Sequence, residues 1–154
     1  MLKPAMMYKD IIEKKFAEVM YTDDYFFYTG YGYCHGLPII KDEDNEFRWV
    51  SVDKEGNVIG YLGYWVDAVA NNVSRFGLYS FDKGNPLFGK DVFNKFEELV
   101  KEYHRIEWCG VGDNPVIRHY IKACEMHGGN YVVLHDTVFH KGKYHDTYIF
   151  EIIS

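Results

Sequence analysis

Cysteine is scarce in this sequence. Cys34, Cys109 and Cys124 are its only three, an odd and widely spaced set that cannot make a disulfide framework. Such usage suits a reduced, cytoplasmic setting. A basic face is missing too: 17 Lys and Arg are scattered among 23 Asp and Glu, for a formal net charge of −6. That excludes the electrostatic footprint a nucleic-acid partner requires. No run is long and apolar enough to span a bilayer, and the opening MLKPAMMYKD carries no signal-peptide profile. The one dense charge run, KDEDNE (41–46), reads as a solvated loop.

Aromatic residues are what the chain has in excess, at 18% with 14 Tyr and 11 Phe. This is more than a small core needs, so some rings are expected to line a cleft or an interface, a homodimer contact included. An apolar content of 47% over 154 residues fits one globular domain with a real core. We take 1–154 as that domain, with a helical and aromatic region over 1–46 and a regular core over 47–153.

The spacing of Tyr8, Ile11, Ile12, Phe16, Val19 and Met20 predicts a helix over 7–21 with one buried face. The tract YFFYTGYGYCHGLPII (25–40) reads as irregular. From Phe47 the period changes to that of strands, over 47–52, 58–66 and 73–81, the first two joined by turn residues 53–57. A Gly/Pro loop (82–90) then opens a helix whose stripe is Val92, Phe93, Phe96, Leu99, Val100 and Tyr103. RIEWCGV (105–111) reads as a buried strand. Asn114-Pro115 opens a second helix, which Gly128-Gly129 ends. Two closing strands meet at Lys141-Gly142. This order implies an α+β (α/β) domain with helices on a sheet.

His-Asp-Thr occurs twice in the closing segment, HDTVFHKGKYHDTYIF (135–150). An antiparallel register around Lys141-Gly142 pairs Phe139 with Tyr144, Thr137 with Asp146 and His135 with Tyr148, leaving the two His-Asp pairs out of step. Neighbouring strand residues also point to opposite faces. The repeat therefore reads as a hairpin, with no metal site expected.

Two places could carry chemistry. In YSFDKGNPLFGKDVF (79–93) a strand passes through a Gly-bearing loop into a helix, whose first N–H groups make an anion site if the loop is more than punctuation. In the second helix Tyr120 is either core or a proton donor to a departing thiolate. Glu107, in the strand before, is either a general base or a surface carboxylate.

Taken together these elements resemble the GNAT superfamily of N-acetyltransferases. The likeness covers about 47–153 and is strongest over 105–153, similar to the branch acting on protein N-termini and small amines. It implies a central mixed, mostly antiparallel sheet with helices on both faces, and direct transfer of an acetyl group from acetyl-CoA to a primary amine on a small molecule or peptide. It implies that Tyr79 and Phe81 end the splayed strand whose backbone pairs with the pantetheine arm, and that Gly84, Asn85, Leu87, Phe88, Gly89 and Lys90 wrap the pyrophosphate. Asn114 would lie beside the thioester and Tyr120 would reprotonate the CoA sulfur. The family's loop reads Arg or Gln, two residues, Gly, one residue, then Gly or Ala. Laid on Gly89, this chain has Gly84 in place of the Arg or Gln and Leu87 in place of the first Gly. A fold that has lost catalysis and serves as a ligand-binding or interaction module is the alternative. The acceptor pocket would fall on the aromatic tract 25–36, where Cys34 and His35 read as incidental.

Overall fold

The computed structural model describes residues 1–22, 40–41 and 44–154. The tract 25–36, with Cys34 and His35, lies outside them. Among the described residues seven strands form one sheet in the order β1-β2-β3-β4-β5-β7-β6. They are β1 (Leu2–Pro4), β2 (Glu46–Val52), β3 (Val58–Asp67), β4 (Asn72–Ser80), β5 (Arg105–Val111), β6 (Asn130–His140) and β7 (Lys143–Ile153). The helices are α1 (Lys9–Val19), preceded by a 3-10 turn over Ala5–Tyr8, α2 (Pro86–Glu102) and α3 (Ile117–Met126). The expected strands all form, and β1 is added at the edge. It is three residues long, too short to show an alternation.

Alternation along β3 sorts the helices onto the two faces. Leu62, Tyr64 and Val66 join Leu99 of α2 and Cys124 of α3 in one core, while Tyr61 joins Ile12 and Phe16 of α1 in the other. Phe16 meets the rings of Tyr61, Tyr79 and Phe81 at 5.2, 5.7 and 5.0 Å. On the α2/α3 face the rings run across the sheet, through Tyr64–Phe76 at 5.6 Å, Phe76–Phe96 at 6.3 Å, Phe96–Trp108 at 5.2 Å and Trp108–Phe150 at 5.0 Å. Much of the aromatic surplus is therefore core.

Two irregularities shape the sheet. In β4 the register moves from Gly63↔Gly77 to Trp65↔Ser74, which inserts one residue, and Arg75 takes φ +55° there. In β6 it moves from Leu134↔Thr147 to Val138↔His145, so 135–137 stand opposite Asp146 alone. The Phe139–Tyr144 pairing forms as expected, but the bulge overturns the other two. His135 Nδ1 lies 3.1 Å from Asp146 Oδ2, and Asp136 N–H donates to Asp146 Oδ1 at 3.1 Å. One His-Asp pair thus does meet the other. Asp136 takes φ +56°, which the simple alternation of a strand does not anticipate.

Candidate active site

Every strand pair is antiparallel except β4/β5. That parallel pair is joined only at Asn72↔Arg105 and Val73↔Ile106. Beyond them the strands part, and no strand among the described residues fills the gap. Hydrogen-bond parity shows which backbone groups face it. Phe81 N–H donates to Ile59 O at 2.9 Å, so odd residues at this end of β4 address β3 and the groups of Leu78 and Ser80 face the gap. Gly112 N–H donates to Asp146 O at 2.8 Å, so even residues of β5 address β7 while Glu107 and Cys109 face the gap. Tyr79 and Phe81 do stand at the end of β4, with their backbones turned to β3 and their rings to α1. The sequence missed Leu78, Ser80 and Cys109 because backbone direction leaves no residue-type signature.

α2 begins just past β4 and α3 just past β5, so both helix starts flank the open end of the gap. In open parallel sheets a ligand binds outside the carboxyl ends of the strands, and β4/β5 is the parallel pair of this sheet. The sequence expected a loop through Lys90, whereas α2 already begins at Pro86. Asn85 is its N-cap and Gly84, at φ +94°, makes the turn before it. Asn85 N–H donates to Asp82 O at 3.1 Å, and Asn85 Oδ1 accepts from Leu87 N–H at 3.0 Å. Asn85 Nδ2 donates to Asp82 Oδ2 at 2.7 Å. A helix start leaves four N–H groups without intrahelical partners. Here Asn85 N–H and Leu87 N–H have their partners, Pro86 has no N–H, and Phe88 N–H is the last of the four. The Phe88 ring is buried on Gly60, where a Cβ would meet it at 2.3 Å. Leu87, Gly89 and Lys90 are exposed, and a side chain at Gly89 would enter open space.

Tyr120 sits on α3 against the other wall. Its ring meets Phe150 edge-on at 6.2 Å and lies over Gly110, where a Cβ would come within 3.3 Å. Burial, with a smaller contribution from Cys109, pushes its phenol well above the ordinary tyrosine value. It therefore stays protonated through neutral pH. Glu107 occupies the opposite face of β5, since Ile106 and Trp108 share the core with Tyr120 and neighbouring strand residues alternate. Arg105 Nε is 3.4 Å from Glu107 and its guanidinium also holds Glu151 at 2.9 Å. The two candidate proton-handling groups are thus on opposite sides of one strand. Asn114 is not free to point anywhere: its Oδ1 accepts from Val116 N–H at 3.1 Å, and regular helix starts only at Ile117.

No family model matches the sequence, and no curated protein does. Solved structures do. A GCN5-related N-acetyltransferase from Kribbella flavida superposes with TM-score 0.71 at 16% identity, over 100% of this chain and 97% of its own. A probable GNAT-family acetyltransferase from Chromobacterium violaceum gives 0.64 at 19%, over 99% and 86%. The chain has the GNAT fold. Spermidine N-acetyltransferase from Vibrio cholerae, solved with CoA and spermine, gives 0.61 at 16%, over 99% and 94%. At such identities the likeness concerns architecture, and the opened β4/β5 pair is part of this chain's GNAT fold whichever residues line it. No helix among the described residues is long and apolar enough to cross a membrane.

Proposed function

We propose that the protein is an N-acetyltransferase that moves the acetyl group of acetyl-CoA to a primary amine by direct attack. The observation that carries this reading is the parting of β4 from β5. Where two strands part inside a sheet, backbone groups such as those of Leu78, Ser80 and Glu107 turn toward the space between them, which suits a linear ligand with amides along its length, as the pantetheine arm has. Its diphosphate end would lie at the start of α2, near Phe88 N–H and Lys90. Its thioester end would lie inside the gap, where strand N–H groups stabilise the developing oxyanion.

The acceptor amine would come from the Glu107 side of β5 and the thiolate would leave toward Tyr120. A protonated amine must lose its proton to attack, and in this reading Glu107 takes it, directly or through water. Tyr120 would give one to sulfur. Asn114 caps its turn and would touch the thioester only through its amide nitrogen. The Vibrio cholerae neighbour with CoA and spermine supports a small amine as acceptor. A cytoplasmic location and a homodimer remain part of this reading.

The occupied donors at the start of α2, with the Asp82 carboxylate beside them, favour a second reading, in which ligand binding outlived catalysis. The test that separates them is release of free CoA thiol from acetyl-CoA with a panel of polyamines, amino sugars, amino acids and N-terminal peptides. Amine-dependent release is expected. Binding of acetyl-CoA with no release for any amine class would replace the first reading by the second.

A further inference from the structure

We propose that Asp113, Lys143 and His145 form a junction that fixes the start of α3, and with it the Tyr120 hydroxyl, at the wall of the cleft. What Tyr120 does there rests on the acetyl-transfer reading; how α3 is held does not. Asp113 lies in the turn between β5 and α3. Its Oδ2 takes His145 Nδ1 at 2.8 Å and Lys143 Nζ at 3.0 Å, both from β7. On either side of it, Gly112 N–H donates to Asp146 O at 2.8 Å and Asn114 N–H to Val111 O at 2.9 Å. The turn is thereby laced to the β6–β7 hairpin.

At the start of α3 itself, Asn114 Oδ1 accepts from Val116 N–H at 3.1 Å, a tie within the turn that does not reach the hairpin. Val116, the N-cap, offers no side-chain cap. Tyr120 N–H reaches back to Val116 O at 3.3 Å and Ile117 N–H to Asn114 O at 2.9 Å, so Tyr120, seven residues after Asp113, is joined to the junction through the first turn of α3. The exposed Lys143 contact is worth little by itself. The His145 contact differs, because that side chain is only 4% exposed, and its Nε2 lies 3.3 Å from His140 O on the other arm of the hairpin. Lys143 also holds the Asp113 carboxyl below the usual carboxylate range, so the junction is charged at neutral pH. Asp113 is a positioning residue in this scheme, acting through Tyr120. Displacing a proton donor by about 1 Å costs up to about a hundredfold in rate.

Amide hydrogen exchange on Asp113→Asn is the direct test. Exchange at 117–124 is expected to quicken about tenfold, with the amides of α2 unchanged as a control for the fold. Unchanged exchange in α3 would overturn the junction. Lys143→Met should show the same pattern, more weakly. In turnover, Asp113→Asn should lower kcat with little change in the KM for acetyl-CoA, and should have no further effect in a Tyr120→Phe background. A full additional loss in that background would overturn the link to Tyr120. A wild type that transfers no acetyl group would count against the activity alone, since the exchange result stands apart from it.

Discussion

Tyr120 joins a reactive hydroxyl to an apolar seat, and both belong to its proposed work. Burial raises its pKa, so the phenol keeps its proton in the range where a CoA thiolate needs one. Tyr120→Phe keeps the packing on Gly110 and Phe150 and removes only the acid. We expect kcat to fall about 10²-fold while acetyl-CoA affinity holds, read from turnover and direct titration. Unchanged kcat would take Tyr120 out of the reaction. Phe150 behind it is fully buried and stacks on Trp108 with planes 12° apart. Phe150→Ala should cost about 3–5 kcal/mol in denaturant unfolding, the usual range for emptying such a site. A loss under 1 kcal/mol would show that the aromatic row does not bear the core.

The start of α2 shows how far an element can be read from sequence. Asn85-Pro86 and Asn114-Pro115 carry the same N-cap and first-turn signature. At 85–86 it marks the true helix start, which Gly89 in the next turn disguises as loop. At 114–115 the Asn side chain makes a local turn to Val116 and the helix waits until Ile117. Strands were legible because their alternation is set by burial on both faces. The gap between β4 and β5 entered only through the family resemblance, because backbone direction depends on register, and the bulges at Arg75 and 135–137 reset register without a residue-type signal. Asn85→Ala should lower stability by about 1 kcal/mol through loss of the cap. It also releases Leu87 N–H, so acetyl-CoA should bind more tightly in that variant. Weaker binding by calorimetry would show that the Asn85 side chain itself serves the ligand.

For the molecule as a whole, the same rings that build the core set its response to alkali. Tyr64, pushed up to about 12 by burial, and Tyr120 both hold their protons more firmly in the fold than in the unfolded chain. Between the ordinary tyrosine value, about 10, and the raised ones, the native state binds more protons, so stability falls as pH rises. Urea unfolding should show this contribution intact below about pH 10 and declining above it; a flat profile there would contradict the burial of both phenols. The central claim is that the parted sheet, closed at one end by the start of α2, receives acetyl-CoA. Calorimetric titration of acetyl-CoA into the wild type and Gly89→Trp tests it most directly, because a Cβ at Gly89 meets nothing within 4 Å, and circular dichroism of the variant checks that the fold is kept. The account predicts binding in the wild type with Kd on the order of micromolar, lost in the variant. No binding to the wild type, or equal binding to both, would contradict it.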